Sequence, residues 1–385
     1  MKVPFLCIAS LAMMSIDVSA STSTGETRLH WYRCNTHTHT TARPQPDANE
    51  TPEFVAQWYR SHGYSCVVIT DHEYLTNVTD LNRKYGADGS FLVLRGQEIT
   101  QRVERPPNGV RHFHVNGIDI DEVILPPGYP ASPRDMEPFQ TYERNIAAIE
   151  QAGGIPQVNH PNLLWSVKLE DLLPITRPFL LEIWNGYPSS NNAGGVDEAG
   201  QVHPSVEALW DALLSRGKVV WAVAADDAHE YHTFDVRESP TPGKGWIVIQ
   251  APALTVPALT GALRAGRFYA STGVALEHYS ANSEGISMQI APTAEWSPAL
   301  PSSSLYVTRF VGENGKVLAE ENGVSPQYRF KGTERYVRAT ITDSDGRRAW
   351  TQPVFLDGRK DAAAQFLTSS SRTIGPAASP QRSPH

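Results

Sequence analysis

Between residues 29 and 229, short apolar runs rich in β-branched and aromatic residues alternate with stretches whose apolar positions recur at helical spacing. Seven runs read as strands: LHWYRCNTHTH (29–39), SCVVITDH (65–72), FLVLRGQE (91–98), RHFHVNGI (111–118), IPQVNH (155–160), FLLEIWN (179–185) and VVWAVAADDAH (219–229). Several are apolar on successive positions, as in strands covered on both faces. Pro52 precedes the helical stretch EFVAQWYRSH and Gly63 follows it, while YERNIAAIEQA and SVEALWDALLSR stop at Gly153 and Gly217. This order predicts parallel strands with helical crossovers. The run GWIVIQ and the helical stretch PALTGALRAGRF close the unit near residue 280. Beyond it the period falls to two in SLYVTRFV and RYVRATIT, with Asn314-Gly315 and Asp345-Gly346 placed as hairpin turns.

The pattern divides the chain into an α/β unit over 21–285, a small antiparallel β unit over 286–356 and a disordered tail over 357–385, rich in Ala, Ser, Pro and Gln. Residues 1–20 read as a secretory signal. Lys2 precedes an apolar stretch, and Val18-Ser19-Ala20 offers the small residues of a cleavage site, so the mature chain is expected to be secreted or periplasmic. The stretch is shorter than the roughly 20 residues of a bilayer span.

Composition sharpens this in two ways. Among 385 residues, 33 Lys and Arg stand against 41 Asp and Glu, a net charge of −8 that offers no basic footprint for nucleic acid. Of three cysteines, Cys7 leaves with the signal, and Cys34 and Cys66 remain either as a disulfide or as two buried thiols on neighbouring strands.

The chemistry follows the histidines. Of 13, His30 begins the first strand run, and seven more (His37, His39, His72, His112, His114, His160 and His229) fall in the strand runs, mostly at their C-terminal ends, with Asp71, Glu98 and Asp227 beside them. In a parallel barrel that end carries the active site. His37-Thr38-His39 puts two imidazoles on one side of a strand, and Asp227-Ala228-His229 repeats the device with one carboxylate. Glu98, with two oxygens, can bridge two ions. Each element alone is weak, but together they predict a multinuclear site. Imidazole and carboxylate donors suit Zn, Mn or Fe.

The order THTHT, ITDHE, GQE, HVNG, NHP and DDAH resembles the polymerase and histidinol phosphatase (PHP) superfamily over about residues 30–280. HVNG, with ALRAGRFYASTG and the trailing β unit, is similar more specifically to the carbaryl-hydrolase-like branch. The resemblance implies a distorted seven-stranded (β/α)7 TIM-like barrel, followed here by the small C-terminal antiparallel β domain. It also implies two or three divalent ions: one on His37, His39, Glu98 and Asp227, a second on His72 and His229, a third on Glu98, His114 and His160. Where the family often carries Ser-Asp-Gly, this chain has TARPQPDANE, which makes Asp47 the candidate further ligand. Asp71 and Asp226 are candidates for orienting ligands or accepting protons, and His112 for a supporting role.

Hydrolysis by metal-activated hydroxide, with no side-chain nucleophile, is the expected reaction. A small anionic phosphoester is the leading substrate. Arg102, Arg105 and Arg111 are candidate phosphate contacts, and Trp165, Trp184, Asn185 and Tyr187 candidate pocket residues. A carbamate or carboxylic ester is the alternative, and a non-catalytic metal- or carbohydrate-binding module the third reading. An amidohydrolase-type barrel also starts with His-x-His but wants a Lys at a strand end, and none of the seven runs ends in one.

Overall fold

The computed structural model of the protein describes residues 28–104, 109–130, 136–233, 235, 238–292 and 305–358. The expected signal, Arg105 and the tail beyond Gly358 lie outside the described residues. Among the described residues no helix is long and apolar enough to cross a membrane.

All seven runs form strands: β1 (His30–Asn35), β2 (Cys66–Ile69), β3 (Leu92–Glu104), β4 (Val110–Ile118), β5 (Ile155–Val158), β6 (Phe179–Asn185) and, after the two-residue strands β7 (Gly195–Val196) and β8 (Val202–His203), β9 (Val220–Ala225). They pair in the order β1-β2-β3-β4-β5-β6-β9. The expectation of parallel strands holds for β1–β2, β2–β3, β5–β6 and β6–β9, but β4 runs antiparallel to both neighbours. The link from Glu104 to Val110 is a hairpin connection, far shorter than the dozen or more residues of a parallel crossover. Reversal of β4 brings His114 opposite Thr100, two residues past Glu98 on β3, so both strands deliver side chains to the same end of the sheet. Beyond β1 and β9 the chain meets itself: Thr38 bridges Ala228 in parallel, His39 N–H donates to Ala228 O and Asp227 N–H to His37 O, each at 3.0 Å.

Helices cover this sheet. In α1 (Pro52–Ser61) Thr51 Oγ1 accepts from Phe54 N–H at 3.2 Å, and in α5 (Val206–Ser215) Ser205 Oγ does the same for Ala208 N–H. The others are α2 (Thr79–Tyr85), α3 (Pro138–Gln151), α4 (Leu169–Leu172) and α6 (Val256–Arg264). Trp210 and Leu213 of α5, Ile146 and Ile149 of α3 and Leu259 of α6 pack with Val115, Leu181 and Val223 of the strands into the largest core. Cys34 and Cys66 are register partners on β1 and β2, joined as a disulfide.

The sheet continues past the barrel strands. β1 pairs antiparallel with β10 (Trp246–Ala251), which passes through β11 (Phe268–Ser271) to β18 (Arg348–Thr351), β17 (Tyr336–Asp343), β14 (Tyr306–Val311) and β15 (Val317–Asn322), while β19 (Val354–Phe355) pairs β17. A second sheet of β12 (Ala275–Ala281), β13 (Gly285–Ala291) and β16 (Gln327–Arg329) packs over it through Ile286, Met288, Tyr306, Phe310 and Ile341. The Asn314-Gly315 turn joins β14 to β15 with φ of +57° and +72°, and Gly346, at +80°, turns β17 into β18.

Candidate metal centre

Nine side chains from seven segments converge at one end of the barrel strands. They form three donor groups: His37, His39, Glu98 and Asp227; His39, Asp47, His72 and His229; and Glu98, His114 and His160. In the first, His37 Nε2 and His39 Nε2 lie 3.1 Å apart, each 3.3 Å from Glu98 Oε2 and 3.1 Å from Asp227 Oδ1. These are five of the six edges of a tetrahedron. Its centre lies about 0.61 of an edge from each corner, so such edges place it about 1.9 to 2.0 Å from four donors, the distance at which imidazole and carboxylate bind zinc-sized ions.

Glu98 divides its oxygens as the bridging role requires. Oε2 faces the first group and also His72 Nδ1 at 3.2 Å, while Oε1 lies 3.0 Å from His114 Nδ1 and 3.3 Å from His160 Nε2. Asp47 completes the second group, with Oδ2 3.0 Å from His72 Nε2 and 3.7 Å from His229 Nε2. The imidazole planes of His39 and His229 stack at 4.1 Å.

Without an ion the arrangement is unsatisfied. His37 and His39 are fully buried, yet His39 Nδ1 and His114 Nε2 have no hydrogen-bond partner among the described residues. Protonation is polarised. Burial lowers the His39 pKa, but hydrogen bonds to Asp227 and Glu98 outweigh it and hold it up at about 10. Burial would raise Glu98, but His37, His72 and His114 hold it well below the usual carboxylate range. His114 falls to about 4, chiefly through burial. Protons and neighbouring charges thus occupy the place a divalent cation would take, and the donor set fits such an ion. Two of the donors also sit on strained backbone, His160 at φ +25° and Asp227 at φ +51°, conformations that the surrounding fold must enforce.

The supporting residues divide the expectations. Asp71 accepts from Thr40 N–H (2.6 Å), Thr40 Oγ1–H (2.8 Å) and Thr76 Oγ1–H (2.6 Å). Asp226 accepts from Tyr59 Oη–H (2.8 Å) and from Lys244 and Gly245 N–H (2.7 and 2.8 Å). Both carboxylates anchor the loops behind the donors, and the backbone carbonyl of Asp71 also accepts from Glu98 N–H at 3.3 Å. Arg111, expected as a phosphate contact, is one residue out of phase with His112 and His114, so it faces the other side of β4, where it donates to Ser166 O at 2.7 Å and pairs with Asp171. Asn185 is likewise spoken for. Its amide donates to Glu182 Oε2 (2.8 Å) and Asp227 Oδ2 (3.2 Å), and its Oδ1 accepts from Tyr187 N–H and Ser190 Oγ–H, so it orients Asp227 and has nothing left for a substrate. Arg102 and His112 are register partners across β3 and β4, on the face that carries Glu98 and His114. Trp165 stacks on His203 at 4.4 Å, and Trp184 packs towards Trp350. Tyr187 stands half-buried with its ring edge-on to His229, 5.7 Å away.

Sequence reading missed the second layer. Glu182 Oε1 lies 2.8 Å from His37 Nδ1 and accepts from Gln157 Nε2 at 3.0 Å, while its Oε2 accepts from His160 N–H at 2.8 Å. A fully buried Glu in the apolar run FLLEIWN was the available signal. Asn159 Nδ2 donates to Glu98 Oε1 at 2.9 Å, and Thr100 Oγ1 bonds His72 Nδ1. Glu73, at φ +47°, accepts from Thr100 N–H, and burial pushes its carboxyl up to about 7.

No protein-family model and no curated protein matches the sequence. Among solved structures, the chain is similar to a two-domain protein from Bacteroides vulgatus containing a predicted PHP-like metal-dependent phosphoesterase, at 14% identity over 85% of this chain and 96% of that one, with a TM-score of 0.42. It is also similar to a protein from Bifidobacterium adolescentis put forward as a metal-dependent phosphoesterase, at 15% identity over 51% and 87% of the two chains, TM-score 0.33. A third likeness is to the lesion-specific endonuclease PfuEndoQ from Pyrococcus furiosus, at 9% identity over 62% of this chain and 56% of that one, TM-score 0.34. None of the three is described as a carbaryl hydrolase.

Proposed function

We propose that this protein is a secreted, metal-dependent hydrolase of the PHP type that cleaves a small anionic phosphoester. The observation that carries the reading is the tetrahedral quartet of His37, His39, Glu98 and Asp227, with a second and a third donor group sharing His39 and Glu98. The three groups would hold two or three divalent ions. Ions so held would supply an activated water at neutral pH and electrostatic stabilisation of the transferred group.

The chain's own residues divide the remaining work. Glu182 fixes the ring of His37, and Asn185 and Asn159 hold Asp227 and Glu98 at their positions. Arg102, exposed on the donor face of β3 beside His112, is the cation best placed to receive a phosphate oxygen. Tyr187 stands edge-on to His229 and offers a hydroxyl that bonds no described residue. The Cys34–Cys66 disulfide supports an oxidising compartment, as the secretory signal expects.

The test is metal quantification coupled to hydrolysis of bis(p-nitrophenyl) phosphate, p-nitrophenyl phosphate, a naphthyl carbamate and a naphthyl acetate. Bound ions and turnover of a phosphate substrate are expected. Turnover of only the carbamate or acetate moves the substrate class to carboxyl esters on the same centre, and absence of bound ions with no turnover leaves the non-catalytic module.

A further inference from the structure

We propose a second ligand site, remote from the metal centre, for a small organic anion that carries a flat apolar ring. It lies where the start of β1 meets β10, β11 and the turn between β17 and β18, in a cleft of about 640 Å³. Trp31 and Arg33 begin the strand whose far end leads to His37, so at about 3.3 Å per residue the cleft and the metal donors are separated by more than 10 Å along the chain.

The walls are aromatic. Trp31 meets Tyr269 edge-on at 5.6 Å, and Trp246 meets Tyr64 edge-on at 6.2 Å. Arg33 is held between two of these rings, its guanidinium carbon 4.0 Å from the Tyr64 ring centre and 3.6 Å from that of Trp246. Its Nη2 donates to Tyr64 Oη at 3.1 Å, its Nε has no partner, and no carboxylate lies within ion-pairing distance of it among the described residues. Arg347 lines the same cleft from the far side, its guanidinium 3.5 Å from the exposed Asp345. The lining thus holds two cations, three large aromatic residues, the hydroxyls of Ser65 and Thr272, and no carboxylate.

That composition is unusual in a chain with a net charge of −8. The larger cavity between α5 and β14 makes the contrast, since its three arginines are all paired: Arg309 with Glu320, Arg338 with Asp211 and Glu207, and Arg348 with Glu207. An anion there would displace existing pairs. In the cleft, Arg33 has no carboxylate partner among the described residues and Arg347 has only the exposed Asp345, so an anion would supply the counter-charge that Arg33 lacks while its ring packs on indole faces.

The experiment is calorimetric titration of the intact protein with 2-naphthoate and, in parallel, with the neutral 2-naphthamide. Saturable binding of one equivalent of 2-naphthoate is expected, at least about tenfold tighter than the amide. Two exposed or rim positions test the location without burdening the fold: Arg347→Gln removes a cation, and Ala275→Glu adds an anion to the cleft wall. Each should weaken 2-naphthoate binding about tenfold. Absence of saturable binding, equal affinity for the amide, or unchanged affinity in both variants would overturn the proposal.

Discussion

Two buried charge clusters in this molecule are built on opposite principles. At the junction of α5 and β17, Arg338 is 1% exposed and gives Nε and Nη2 to the two oxygens of Asp211 at 2.7 and 2.6 Å, and Nη1 to Glu207 at 3.0 Å and Thr340 at 2.7 Å. Every charge there meets its opposite. At the metal centre two imidazole nitrogens face each other at 3.1 Å, and two buried ring nitrogens, His39 Nδ1 and His114 Nε2, lack partners among the described residues. Folding tolerates such crowding only where something else supplies the compensating charge. The satisfied cluster is a fastener between the barrel and the β region, and the unsatisfied one is a receptacle.

The comparison can be broken by experiment. Glu98→Gln should have the largest effect, because one carboxylate serves two donor groups: loss of bound metal by elemental analysis and a fall in kcat of about a thousandfold or more. Restoration of normal turnover at saturating metal would show that the bridge is dispensable. Arg338→Met should leave metal content unchanged but lower unfolding free energy by about 3 to 5 kcal/mol in urea titration, since Asp211 is left buried without its cation. Chelation should act the other way round: removing bound ions is expected to lower stability by about 3 to 4 kcal/mol if they were present at 100 to 1,000 times their dissociation constant. The loss in Arg338→Met under chelation should be additive, because the clusters share no residue. Glu182→Gln should weaken metal binding about 10- to 100-fold in competition with a chromogenic chelator, by freeing the His37 ring. Tyr187→Phe should be the mildest, with metal content intact and kcat/KM reduced about fivefold to tenfold, the scale of one neutral hydrogen bond.

Much of the centre was legible because ligation needs particular side chains and strands have a period of two. His37 and His39, and Asp227 and His229, were recognisable as pairs on one side of a strand. The structure brings all eight expected donors together, with Asp47 beside His72 and His229. The second layer was not legible, because what makes Glu182 or Asn159 matter is a partner 145 or 61 positions away in the chain. The arginines show the converse error. Arg111 and Arg102 belong to one short charged stretch, yet strand phase sends Arg111 to Asp171 and leaves Arg102 on the donor face.

By itself, then, the sequence determined the seven strands, their helices and the chemical type of the site. Local apolar period, turn residues and donor identity are properties of neighbouring positions. Only the tertiary structure decided the reversal of β4, the Cys34–Cys66 link and the division of Glu98 between two donor groups, and only it told the paired arginines from the unpaired. Each of these is settled by which distant segment supplies the partner, and burial gives that choice its energy, because a charge removed from water must find its opposite in the fold or wait for a ligand.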